Sequence, residues 1–485
     1  MIDAAIAQLR YALTVGFGKR FSLNSLDRLI NSLQETLKEF GQIDFSRDNL
    51  LAGPVLDEET RRQMQLSRFR KQAILAASNT EFYKNIFCEF GIPTTGFTFE
   101  DIARLPLTSK EALKNFPDSF VNRATKPCFR AMTTGTTGKP TSVCFSEYEL
   151  RLYAALAAIS YLSSGQITEK DIVQISTSAR GVLGNLTLAG GCARIGAQVY
   201  LAGIIEPVKS LTMLVEKRGL PGKYSRTSVL YTYPSYLGEL VTEGLRLGYG
   251  PDDFGLRNII VGGELVTAGL KKRAMTLFGE VNFLEGYGMT EIWPLGGQTC
   301  PEGHLHFEPS QGLVEVLNPT TGLMAKPGEV GTLVVTPFRP YRETTLLLRY
   351  DTGDLVSVLP APPTCSLKNL PATGSLLGKL ALALKHDNGW LYPRTICEAL
   401  EELEEVPLPA RFSVWSVKGG VALEVVANRD GVDLKRKIER HLLEKGIPLI
   451  SLELHTDRCQ LKQAYPWRAD LRESSFHSGL QFQTV

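Results

Sequence analysis

No apolar run in this chain approaches the roughly 20 residues that a helix needs to cross a bilayer, so no membrane partner is expected. Nor is there an excess of charge of either sign. Fifty-three basic against 51 acidic residues leave a net charge of +2, which argues against nucleic acid or an anionic surface as the main partner. The eight cysteines form no paired framework, as expected of a protein kept in a reducing, cytoplasmic compartment. The first 15 residues carry Asp3 and alternate polar with apolar, unlike a signal peptide. The common P-loop is missing as well: no pair of glycines four residues apart precedes Lys-Ser or Lys-Thr. What remains is a 485-residue chain of ordinary soluble composition, too long for one hydrophobic core. A cytoplasmic enzyme or binding protein of two or more domains is expected.

What is present is an unusual loop. Residues 131–141 read Ala-Met-Thr-Thr-Gly-Thr-Thr-Gly-Lys-Pro-Thr. Glycine lets a backbone approach an anion closely, and consecutive amides and hydroxyls donate hydrogen bonds to it. Thr133, Thr134, Gly135, Thr136, Thr137, Gly138 and Lys139 therefore suit a cradle for phosphate oxygens. Only two residues separate its glycines, and Pro140, which has no N–H, follows the lysine.

The pattern around this loop is that of an α/β protein. Residues 1–50 carry Ile6, Leu9, Leu13 and then Leu26, Leu29, Ile30, Leu33, Leu37 at helical spacing, with Asn24 or Ser25 as cap of a second helix. Such stripes usually face a core, so a helical packing extension is expected. From 130 to about 350, short apolar runs alternate with helical stretches, followed by hairpin strands of a smaller β region. Residues 355–377, with four prolines, read as a linker edge. The last hundred residues alternate strand and helix as a compact α+β domain, beginning with a strand at "KLALAL". The expected division is 1–50 as extension, 51–377 as a large domain, and 378–485 as a small domain.

Two further segments, Gly286-Tyr287-Gly288-Met289-Thr290-Glu291 and Arg349-Tyr350-Asp351-Thr352-Gly353-Asp354, follow the loop in order. The three together resemble the core motifs of the adenylate-forming superfamily, which holds acyl-CoA synthetases, amino-acid adenylation domains and luciferases. "FRKQAILAASNTEFYKNIFCEFGI", "LPLTSKEALKNFP", "YTYPSYLGEL" and "VGGELVT" are similar to the phenylacetate–CoA ligase branch, which includes synthetases that adenylylate a deazaflavin coenzyme. The similarity spans roughly residues 60 to 400. It implies ATP and Mg²⁺ as cofactors, a mobile small domain, and a homodimer as the family-level expectation.

By this resemblance the threonine-rich loop holds the β- and γ-phosphates, and Glu291 is the Mg²⁺ ligand, a hard carboxylate for a hard cation. Thr290 bonds the α-phosphate, Tyr287 lies against adenine beside Gly288 and Met289, and Gly263 and Glu264 border the base. Asp354 accepts from the ribose hydroxyls, a role that suits an acceptor-only carboxylate. The acid pocket is expected from Tyr231, Tyr233, Pro234, Tyr236, Gly181 and Gly184, whose aromatic walls suit a flat aryl acid as readily as they suit plain core. Cys300, His304, His306 and Cys365 carry the thiols and imidazoles that zinc takes, and form a candidate structural zinc site. Relatives place a second cysteine where Leu367 stands, so His304 must substitute.

The small domain departs from the family. The hinge, Gly-Arg-x-Asp in relatives, is Gly378-Lys379-Leu380-Ala381, where Lys379 keeps a cation without arginine's fork. No glycine–lysine pair stands near the end. Lys462, preceded by Gln460-Leu461, takes the catalytic lysine's place by rough position, with Arg468 the weaker candidate. The expected activity is ATP-dependent adenylation of a small, aromatic carboxylic acid, with transfer to CoA or to another acceptor: a carrier-protein thiol, an amine or an alcohol. The alternatives are adenylyl transfer to a hydroxyl-bearing coenzyme and a catalytically silent nucleotide-binding protein.

Overall fold

Strand Ile172–Ser176 is buried along its whole length, as a strand must be when helices cover both faces of a parallel sheet. In the computed structural model, which describes residues 2–41, 57–93, 96–133, 140–178, 182–387, 389–458 and 461, it lies inside an eight-stranded sheet. Its parallel half runs, in spatial order, Gln198–Leu201, Ile172–Ser176, Val229–Thr232, Asn258–Gly262 and Asn282–Tyr287. Gly297–Thr299, Leu305–Phe307 and Ala372–Thr373 continue it antiparallel. Side-chain alternation sends Val229 and Tyr231 to one face, against helices Glu147–Ser164 and Val182–Ile195. Leu230 goes to the other, with helices Pro234–Arg246 and Ala268–Phe278.

A second, antiparallel sheet joins Gly312–Leu317, Val330–Pro337, Tyr350–Ser357 and Leu376–Lys379. Residues 355–377 are thus woven into two sheets rather than standing as a linker edge: four scattered prolines left room for short strands at 372–373 and 376–379. The strand expected at "KLALAL" is broken. Lys379 ends one strand, residues 380–382 make a single tight turn, and Leu384–His386 starts a hairpin.

The small lobe has its own core. Strands Phe412–Val417, Gly420–Val426 and Leu449–His455 pack one face on helices Pro393–Glu401 and Val432–Glu444. At the other end, helix Leu23–Phe40 buries Leu26, Leu29 and Ile30. Its cap is Ser22, whose hydroxyl accepts from Ser25 N–H, so Asn24 and Ser25 fall inside the first turn. Helix Ile2–Phe17 does the reverse of its stripe. Ala7 is buried and Tyr11 and Val15 pack inward, while Ile6, Leu9 and Leu13 are exposed. Stacking of Tyr11 on Phe21 fixes that rotation. Among the described residues, no helix is long and apolar enough to cross a membrane.

Candidate active site

Ligands in open α/β sheets bind beyond the carboxyl ends of the strands. Here those ends bring together four loops that begin at Thr177, Tyr233, Gly263 and Gly288. Gly263 has φ +82°, and a Cβ there would stand 3.3 Å from the Tyr233 ring, so glycine lets the two loops meet. The chain leaves Asn282–Tyr287 through Gly288, Met289 and Thr290 into a turn in which Ile292 N–H bonds Met289 C=O, and Glu291 is buried within it.

Two carboxylates face this edge from different directions. Asp354, on Tyr350–Ser357, accepts from Tyr287 Oη at 2.9 Å and pairs with Lys379 Nζ at 2.8 Å. The pairing of the two strands sets Asp354 directly opposite Lys379. Glu291 accepts from Tyr350 Oη at 3.4 Å, with Lys110 Nζ 3.9 Å away. Burial, then the neighbouring carboxylate, pushes both phenols well above their ordinary range, so they remain donors. Glu291 keeps acceptor capacity free for a hard cation.

The base of the threonine-rich loop is closed by Thr133 N–H to Thr141 C=O at 2.9 Å. The hydroxyls of Thr133 and Thr141 are buried and have no partner among the described residues. Thr134 to Lys139 lie outside the described residues, as do Gly181, Lys462 and Arg468.

Other expected residues are placed differently. Glu264 spends both carboxylate oxygens on the first turn of Pro234–Arg246, accepting from Ser235 N at 2.8 Å and Ser235 Oγ at 2.9 Å. It caps that helix from outside. Pro234 is the first residue of the same helix. Tyr231 and Gly184 do meet: a Cβ on Gly184 would lie 3.2 Å from Tyr231 Oη. Tyr233 Oη stands 3.4 Å from Ser178 Oγ. Tyr236 sits away from them in the core on the opposite face of the sheet, its hydroxyl donating to Ile205 C=O at 2.6 Å.

Sequence reasoning missed several contributors. Lys110 lies in a segment that was read for its resemblance alone. Arg349 looked like part of a binding motif, yet it is a buried scaffold residue. With φ +47° it bonds Glu315 through Nε (3.1 Å) and Nη2 (3.0 Å), and the Leu105 carbonyl through Nη1 (2.6 Å).

Beside this edge, Cys300, His304, His306 and Cys365 bring their ligand atoms within 4.8 Å of one another. A tight turn with Gly303 N–H on Cys300 C=O, and pairing of His306 opposite Ala372, assemble them. Cys365 Sγ is 3.2 Å from His306 Nε2. Burial depresses the His306 pKa, which keeps the imidazole neutral as a ligand must be. Nδ1 of both histidines is buried without a hydrogen bond, Glu302 standing 3.7 Å from His304.

A parallel sheet flanked by helices, with Tyr287, Glu291, Asp354 and Lys379 gathered at its carboxyl edge, is the frame of a nucleotide-dependent ligase. Residues 75–337 match the model of the AMP-binding enzymes, and the chain belongs to that family, in its phenylacetate–CoA ligase-like branch. It is 30% identical over 421 residues to a phenylacetate–coenzyme A ligase of Pseudomonas putida, covering 82% of this chain and 90% of that one. A phenylacetate–coenzyme A ligase of Thermus thermophilus is 28% identical over 358 residues, 72% of this chain and 77% of its own. Among solved structures, a 2-hydroxyisobutyryl-CoA ligase in the postadenylation state aligns with a TM-score of 0.70 at 18% identity, covering 84% of this chain and 90% of that one.

Proposed function

We propose that this protein activates a small aromatic carboxylic acid as its acyl-AMP, releasing pyrophosphate, and passes the acyl group to CoA. The observation that carries the reading is the convergence of Tyr287, Glu291, Asp354 and Lys379 on the sheet edge. Asp354 is aimed as an acceptor for vicinal hydroxyls, and Lys379 stands beside it as a cation for ribose or phosphate. Glu291 would hold Mg²⁺, which when bound would supply charge neutralisation on the phosphates. Holding the acid in line with the α-phosphorus supplies the remaining acceleration. Tyr231, Tyr233 and Gly184 line the side from which a flat acid would enter, and the names of the relatives favour an arylacetate or benzoate type.

Pyrophosphate release from Mg·ATP, measured over a panel of aryl and short aliphatic acids with and without CoA, tests this. Release with an aryl acid, followed by thioester when CoA is added, is expected. No release with any acid, from folded protein, rejects the proposal. Release only with a hydroxyl-bearing coenzyme replaces it with adenylyl transfer.

Cys300, His304, His306 and Cys365 fit a structural zinc site, with two soft thiols, two imidazoles and orphaned buried nitrogens. Purified protein is expected to carry one zinc per chain and to lose thermal stability on chelation, whereas Cys365→Ser should hold less than half. Full-length protein without bound metal and with unchanged melting after chelator treatment refutes the site.

A further inference from the structure

The small lobe does not merely rest on the large domain. Leu408, from the lobe, is fully buried in the large domain's own core cluster, and Leu265, from the large domain, is buried in the lobe's. Backbone lies directly on backbone at two places. A Cβ on Gly238 would stand 2.7 Å from Pro409 N, and a Cβ on Gly269 would collide with the Glu401 carbonyl. Between these contacts sits one acid. Glu239, 4% exposed, receives Arg411 Nη2 at 2.6 Å and Arg458 Nη1 at 3.0 Å, both from the lobe. Arg458 Nη2 also ties the Leu408 carbonyl at 3.0 Å.

Glu239 belongs to helix Pro234–Arg246, whose first turn is Tyr233-Pro234-Ser235 with its Glu264 cap. One helical turn from the loops of the candidate active site, that helix therefore grips the lobe. Charge-assisted, partly bidentate bonds to a buried acid fix orientation more tightly than apolar contact does.

We propose that Glu239 is a positioning residue: clamped by Arg411 and Arg458, it holds the small lobe in the docked arrangement on which the adenylation half-reaction depends. The inference rests on the functional reading above, and goes beyond it by assigning the step that the clamp serves. It predicts a split between half-reactions, which plain loss of folding would not produce.

The test compares wild type with Glu239→Gln and Arg458→Gln. Three quantities are read: pyrophosphate release from acid and Mg·ATP without CoA, thioester formation from supplied acyl-AMP and CoA, and hydrogen exchange across residues 268–273 and 398–411. Glu239→Gln is expected to slow the first at least tenfold, to leave the second within twofold, and to raise exchange in both segments. Arg458→Gln, which keeps the Glu239–Arg411 bond, gives a smaller effect of the same kind and serves should Glu239→Gln not fold. An equal fall in both half-reactions, or no change in the first, overturns the proposal. If wild type releases no pyrophosphate with any acid, the functional reading fails; unchanged exchange in Arg458→Gln would then separately overturn the clamp.

Discussion

The carboxyl edge of the parallel sheet and the face that receives the small lobe share the same two helices, yet they are built by opposite means. At the edge, polar side chains converge from several elements: among the described residues, Asp354 and Glu291 are each bonded by a phenol and approached by a lysine. At the docking face, space is removed, glycines admit backbone, leucines cross between cores, and Glu239 is engaged by two arginines. A binding site needs acceptors and donors left for its ligand, whereas at the docking face the carboxylate of Glu239 is taken up by two guanidiniums.

That contrast can be broken by substitution. The largest effect is expected at the edge. Asp354→Ala removes the acceptor for two charge-assisted hydrogen bonds, so nucleotide affinity by calorimetry should fall on the order of 10²-fold. The melting temperature should fall as well, because Tyr287 and Lys379 lose their buried partner, so affinity is read well below the transition; a tight nucleotide complex in this variant would remove Asp354 from the site. Next comes the docking face. Gly269→Val forces a side chain into the Glu401 backbone, an overpacking cost of about 1–3 kcal/mol. It should lower stability without weakening nucleotide affinity, and equal loss of both would mean that the two regions are not separable. The smallest effect belongs to Tyr236→Phe, which deletes the bond to Ile205. About 1 kcal/mol of stability should go, read from the denaturant midpoint, with acid specificity unchanged. A shifted acid profile would return Tyr236 to the pocket.

Legibility followed distance along the chain. The threonine-rich loop, residues 286–291 and residues 349–354 are each contiguous, so their chemistry could be read before any fold was known. The scaffold role of Arg349 was out of reach because its partner Glu315 lies 34 residues away. Tyr236 misled because the strand-to-helix turn after Thr232 carries it to the other side of the sheet from Tyr231. The first helix misled because periodicity locates a stripe without saying which way it turns.

Local order alone therefore settled the family and the class of fold, since the motifs that carry them are contiguous and the element pattern is read within a few positions. Packing had to settle the remainder. Glu239 lies 172 residues from Arg411 and 219 from Arg458, and no spacing rule connects groups so far apart. Their meeting is a consequence of which faces of two helices and one lobe bury apolar surface against each other, and that is known only once the whole chain has folded.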